Sequence, residues 1–376
     1  MHIKPLISPD EFVGLAGVTH LCTGGEAPWL RVQEPVYAEF ARWKSAGYSG
    51  RGKIYAQGER CRQRMGRLWG VPADRIAFVP SATEGMNWLA RGLDWREGDN
   101  VVTTNLEFPS VAYAWKHLRS RGIEVRLVPH RNWIVDEADL LVAMDGRTRV
   151  LAVSHVNFYT GQCLNLEQLS EGTRPRGTLF AVDATHASGV VDVAAGLTDL
   201  TVSSSYKWML ATHGAAPCYL SARAEEQTEA TCFGWHNLAV WPSQRAERHA
   251  DVSEKPMPEH MEPGNPAMLV VMHLDRALEL LLSIGMDRVE KHARDLSEQV
   301  SAGLAKLGFT VITPHTRAAR SGNTCFLVED AKDMQDCLAE RDVLCWGEYG
   351  RVRISTHLYN SSADVARFLE VLSELN

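Results

Sequence analysis

A carboxylate and an amine stand out in this chain of 376 residues. Asp183 closes the apolar run LFAVD, and Lys207 follows the next run, LTVSSSYK. Strand ends in an open α/β sheet face one crevice, so both side chains can reach a single ligand there. An aldehyde cofactor with a basic ring nitrogen calls for such a pair. The amine forms a Schiff base, and the carboxylate keeps the ring nitrogen protonated.

Other residues at the ends of apolar runs extend the pattern. In SATEG, residues 81–85, the small Ala82 lets the backbone approach a ligand and Thr83 offers a hydroxyl. The amides and dipole of a helix N-terminus there favour phosphate, although Ser and Thr also cap ordinary helices. Phe108, in EFPS, can stack on a flat ring or simply fill core. In SHVNFYTGQ, which contains His155, the amide of Asn157 can donate to a phenolate oxygen. The same Asn and Gly also signal a turn. His186, in DATH, stands three residues after Asp183, near a phenolate or carrying a proton, or merely as a polar loop residue. Ser204 and Tyr206 place hydroxyls beside Lys207. That amine must spend time neutral to form an imine and remove a proton, and burial shifts it that way. Arg353, inside the apolar run of GRVRISTHLYN, needs a partner. It either grips a carboxylate with its forked donors or closes an internal salt bridge.

The elements that must hold these residues alternate. From Ile76 onward short apolar runs (IAFVP, NVVTTN, IEVRLVP, TRVLAVSHV, TLFAVD, LTVSSS) are separated by helical stretches (TEGMNWLARGL, PSVAYAWKHLRSRG, DEADLLVAM). This predicts a largely parallel sheet wrapped by helices. Upstream, EPVYAEFARWKSAG and GERCRQRMGRLWG have helical spacing, and GYSGRGKIY between them reads as a glycine-rich basic loop. After the polar stretch SEKPMPEHMEPGNP come two long helical runs, short strands (FTVITP, NTCFLVE, RVRIS) and two further helices. The division expected is a large cofactor-binding domain over residues 16–262. Residues 1–15 and 263–376 form a smaller α+β domain with an N-terminal arm.

Composition sets outer bounds. The chain is 45% hydrophobic with a formal net charge of −7. Nothing in that balance points to nucleic acid or an anionic membrane surface. No apolar stretch approaches a membrane span, and MHIKPLISPDEF lacks a signal-peptide core, so a cytosolic location is expected. The eight cysteines show no metal-ligand spacing, so no metal is expected.

In their order along the chain, these motifs resemble the class V aminotransferase family of fold-type-I pyridoxal-phosphate enzymes. That family includes cysteine desulfurases, kynureninases, isopenicillin N epimerase-like proteins and serine-type aminotransferases. The resemblance spans roughly residues 50–376 and is more specific for fold and cofactor than for reaction. It implies a mainly parallel seven-stranded sheet with a smaller C-terminal domain. It assigns Lys207 as the Schiff-base lysine, Asp183 as the partner of the pyridine nitrogen, and His186 and Asn157 as neighbours of the phenolate. Phe108 becomes the ring stacker. Thr83, Ser204 and Tyr206, with the backbone of Ala82, become phosphate ligands, and Arg353 grips the substrate carboxylate. Asn265, in EPGNP, stands where relatives reach across a dimer interface to the neighbour's phosphate, which implies a homodimer with shared sites. Desulfurases carry a nucleophilic cysteine on a mobile loop before the late arginine. Here the connection VLCWGEYGRVR is short and Cys345 reads as a core thiol, so persulfide chemistry is not expected.

The chemistry implied is an external aldimine with an α-amino acid and removal of the Cα proton by Lys207. Transamination or β-elimination of a C–S or C–X bond follows, with epimerisation as an alternative. A catalytically silent binding module is a competing reading, opposed by the intact Asp183 and Lys207. A nucleotide-binding protein is another, but the sequence lacks both GxGxxG after the first strand and GxxxxGK[ST].

Overall fold

The structure is a computed structural model that describes residues 2–239 and 253–375. Residues 240 and 241, at the end of the aromatic stretch CFGWHNLAVW, lie outside them. The chain begins with β1 (Thr19–His20), α1 (Glu34–Ser45) and α2 (Gly47–Trp69). Alternation follows: β2 (Ile76–Val79), α3 (Ala82–Gly92), β3 (Asn100–Thr104), α4 (Pro109–Ala112), β4 (Glu124–Val128) and α5 (Glu137–Val142). It continues through β5 (Thr148–Ser154), α6 (Leu166–Thr173), β6 (Leu179–Asp183), β7 (Leu200–Val202), β8 (Ala216–Leu220) and α7 (Ala222–Glu226). Then come α8 (Met268–Ile284), α9 (Met286–Lys306), β9 (Asn323–Leu327) and α10 (Ala331–Ala339). Last are β10 (Val343–Leu344), β11 (Trp346–Glu348), β12 (Arg351–Ser355) and α11 (Ser362–Leu375). Among the described residues no helix is long and apolar enough to cross a membrane.

Strands β2 to β8 form one seven-stranded sheet in the order β2-β8-β7-β6-β5-β3-β4. Only β8 runs against its neighbours; the other pairings are parallel. The sheet is covered on both faces, which is why its strands read as nearly unbroken apolar runs. Ala77, Val101, Val150, Ala181 and Leu200 pack with Met86 and Leu89 of α3 on one side. Val102, Leu151, Val153, Phe180 and Val182 pack on the other. Parallel strands deliver their carboxyl ends to one edge. Ser154, Asp183 and Val202 pair in register there, next to the residues that follow β2 and β3.

A second, antiparallel sheet has the order β11-β12-β9 and packs on α9 and α11 through Phe326, Val352, Leu296 and Phe368. The N-terminal segment joins it. β1 pairs with β10, Cys22 bridges to Ser355, and Ile3 N donates to Ser362 Oγ at 2.8 Å.

Three expectations about elements are corrected. The glycine-rich segment GYSGRGKIY is helical, the first turns of α2. Gly47, at φ +62°, makes the break after α1. A Cβ at Gly50 would lie 1.8 Å from the carbonyl oxygen of Trp43, and one at Gly58 would lie 2.8 Å from Met268 Cε. Close helix packing therefore overrides the weak helix propensity of glycine. The stretch PSVAYAWKHLRSRG splits into α4 and a 3₁₀ turn at Lys116–Arg121. FTVITP gives an isolated bridge, Val311 to Phe326, in place of a strand.

Candidate active site

Lys207 lies five residues beyond the end of β7, and Asp183 ends β6. Both are buried. Lys207 Nζ is 3.2 Å from His186 Nε2 and 5.6 Å from the ring centre of Phe108. Burial, helped by the charge of Arg353 and opposed by Asp183, pulls the lysine down to about 8. It is therefore an amine that can lose its proton near neutral pH. Burial holds His186 well below its ordinary value, so the ring is neutral. Asp183 Oδ1 accepts from the amide of Thr185 at 2.8 Å, yet burial still raises its carboxyl above the usual range.

These groups line a cavity of about 160 Å³. Ala82, Thr83, Phe108, Ser204 and Tyr206 share its wall with Asp183, His186 and Lys207. Ser81 caps α3 by accepting from the amide of Glu84 at 3.2 Å, which aims that helix start at the cavity. Thr83 and Ser110 exchange a hydroxyl hydrogen bond of 2.7 Å. Tyr206 stacks on His213, ring centres 3.9 Å apart.

Arg353 comes from β12 and is buried. Among the described residues it makes no ion pair, so the salt-bridge reading falls away. Its Nη1 donates to the carbonyl of Phe158 at 2.9 Å, and among the described residues its Nε has no hydrogen-bond partner. A Cβ at Gly24 would lie 3.1 Å from that Nε and 2.7 Å from Ser355 Oγ. Only a glycine leaves the guanidinium edge open on that side. Burial lowers Arg353 to about 10, still charged at neutral pH.

Asn157 and Asn265 do not line this cavity, and for Asn265 the expected contact is with a neighbouring subunit's phosphate. Asn157 donates through Nδ2 to the carbonyl of Leu106 at 3.0 Å. Its Oδ1 accepts from the amides of Tyr159 at 2.9 Å and Thr160 at 3.1 Å. Its carboxamide therefore braces loop 157–162, which presents the Phe158 carbonyl to Arg353. Asn265 accepts from Tyr55 at 2.5 Å and lines a separate hollow with Tyr55 and Arg51.

The structure adds residues to which the motifs assigned no role. Glu107, raised to about 7 by burial, accepts from the amide of Ser154 at 2.7 Å and so anchors the end of β5. Thr185 accepts from the amide of Ser204 at 3.0 Å, tying the Asp183 loop to the lysine loop. Trp208 and Asn323 both reach the back of His186.

Pyridoxal phosphate fits these residues. The buried amine is matched to an aldehyde. Among the described residues Asp183 makes no ion pair, and burial raises its carboxyl despite the charge of Lys207 nearby; a protonated ring nitrogen would favour its ionised form. The hydroxyls of Thr83, Ser110 and Ser204, with the start of α3, offer donors to a phosphate.

Comparison with known proteins agrees. A "Probable cysteine desulfurase" of Methanothermobacter thermautotrophicus is 25% identical over 84% of this chain and 83% of its own length. "Isopenicillin N epimerase" of Amycolatopsis lactamdurans is 26% identical, over 84% of each chain. Among solved structures, a mutant of C-DES with glycine covalently linked to the PLP cofactor superposes with a TM-score of 0.88. It is 20% identical, and the match covers 98% of this chain and 99% of that one. Residues 31–368 match the family model Aminotransferase class-V, and the chain belongs to that family.

Proposed function

We propose that this protein is a pyridoxal-phosphate enzyme that acts at the α-carbon of an amino acid, leading to amino-group transfer or loss of a β-substituent. The cofactor, when bound, supplies an electron sink for the pair left on Cα. Lys207 Nζ takes the Cα proton as general base. Arg353 holds the substrate carboxylate through its unpartnered Nε and so turns the α-carbon toward the lysine. Asp183 stays ionised against a ring cation, and Phe108 closes the cavity with an apolar face. One observation carries this reading: a buried amine poised near pH 8 shares a cavity with a buried carboxylate that makes no ion pair among the described residues.

We favour these outcomes over persulfide transfer because Cys345 is buried between β10 and β11 and burial raises its thiol far up. The epimerase relative supports a second outcome, return of the proton to Cα from the opposite face. We also assign the exposed cluster Asn265, Tyr55 and Arg51 to the partner's phosphate in a homodimer.

Absorption scans of the protein with pyridoxal phosphate during amino-acid titration, with product analysis, test the reading. Keto acid formed only with an acceptor keto acid means transfer. Ammonia and a leaving group released without acceptor mean elimination, and loss of optical activity alone means epimerisation. A colourless protein, unlabelled at Lys207 by borohydride, defeats the proposal.

A further inference from the structure

Behind the cavity, His186 is held from the side away from Lys207. Its Nδ1 lies 3.4 Å from Trp208 Nε1 and 3.2 Å from Asn323 Nδ2. An indole N–H can only donate, so a proton on Nδ1 would set donor against donor. Asn323 points the same way, because its Oδ1 is taken by Ser355 Oγ at 2.8 Å.

Trp208 is itself fixed. Its carbonyl accepts from His357 Nε2 at 2.9 Å, while His357 Nδ1 accepts from the amide of Leu358 at 2.7 Å. A Cβ at Gly322 would come within 2.8 Å of the indole ring, so the ring fills the space that glycine leaves. A neutral imidazole carries one proton, and with Nδ1 accepting, that proton sits on Nε2. Lys207 Nζ lies 3.2 Å from it. A free amine can accept this N–H through its lone pair; an ammonium has none to offer.

We propose that Trp208 and Asn323 are positioning residues that lock His186 with its proton on Nε2, facing Lys207, and so favour the free amine of that lysine over its ammonium form. This deepens the functional reading and rests on it for its purpose, since a carbonyl is attacked only by the uncharged amine. Other charges also reach Lys207: Arg353 opposes its protonation, whereas Asp183, Glu26 and Cys22 favour it. The histidine lock acts beside Arg353 against those three.

The test uses the full-length protein freed of cofactor. Nitrogen-15 histidine spectra should show His186 with a bare Nδ1 and a protonated Nε2. Reductive methylation of Lys207 by formaldehyde and cyanoborohydride, read by mass spectrometry, should have its midpoint near pH 8. In Trp208→Phe, Asn323→Leu and the double variant, the proton should move partly to Nδ1 and the midpoint should rise. A rise of about one unit means roughly tenfold less free amine at pH 7. A proton found on Nδ1 in the unaltered protein overturns the proposal. So does an unmoved midpoint in the double variant or, should that not fold, in Trp208→Phe. The spectrum needs no cofactor, so failure to bind pyridoxal phosphate would remove the functional reading without touching the tautomer, and the reverse also holds.

Discussion

Lys207 and Arg353 are both cations shut away from water, and the fold treats them in opposite ways. Lys207 stands at the carboxyl edge of the seven-stranded sheet, where burial brings it to about 8. Arg353 sits within an antiparallel strand of the smaller sheet, where burial lowers it only to about 10. The same desolvation therefore produces a proton carrier at one end and a fixed charge at the other. The difference originates in the side chains: a guanidinium starts so high that burial cannot discharge it near neutrality. The surroundings complete the division. Lys207 meets a histidine, whereas Arg353 meets a backbone carbonyl and an open edge beside Gly24.

The sharpest way to break the contrast is Lys207→Met. Turnover should fall by roughly 10²–10⁴-fold, because the general base is gone, as steady-state kinetics with a responsive amino acid would show. Next comes Arg353→Lys. A point charge without the fork should lower kcat/KM by about 10–100-fold, mostly through KM. Equal losses for substrates with and without a carboxylate would refute the carboxylate role.

The third test concerns stability. The folded value of Lys207 lies below the 10.5 of a free lysine. Between about pH 8 and 10.5 the unfolded chain thus binds more protons, and stability rises with pH through that window. Lys207→Met removes the penalty. Cofactor-free variant should exceed the parent by about 1–3 kcal/mol at pH 7, with the gap closing toward pH 10.5. Denaturant titrations at both ends decide it. The smallest effect belongs to Cys345→Ser, which should leave turnover within about twofold, as expected of a thiol outside the chemistry. Loss of product with that variant would instead point to persulfide transfer.

The sheet edge was legible in the sequence because each contributing residue follows its own apolar run. Asp183, Lys207, Thr83 and Phe108 needed only the rule that parallel strands open on one crevice. Side chains that act across the fold left no such mark. Trp208 and Asn323 lie far apart in sequence and meet only at His186. Asn157 has the residue type for a cofactor contact, but its Nδ2 donates to the carbonyl of Leu106 and its Oδ1 accepts from loop 157–162. The helix through GYSGRGKIY stayed hidden because Gly50 is explained by its packing on Trp43 of the preceding helix, which residue spacing does not reveal.

The pairing of β1 with β10, and of Cys22 with Ser355, sets an order for assembly during synthesis. The lysine crevice draws on β2 to β8, which leave the ribosome before β10 and β12. The Arg353 end needs both β1 with Cys22 and the much later β10 and β12. A nascent chain can thus shape the crevice around Lys207 before the strand that carries Arg353 has emerged.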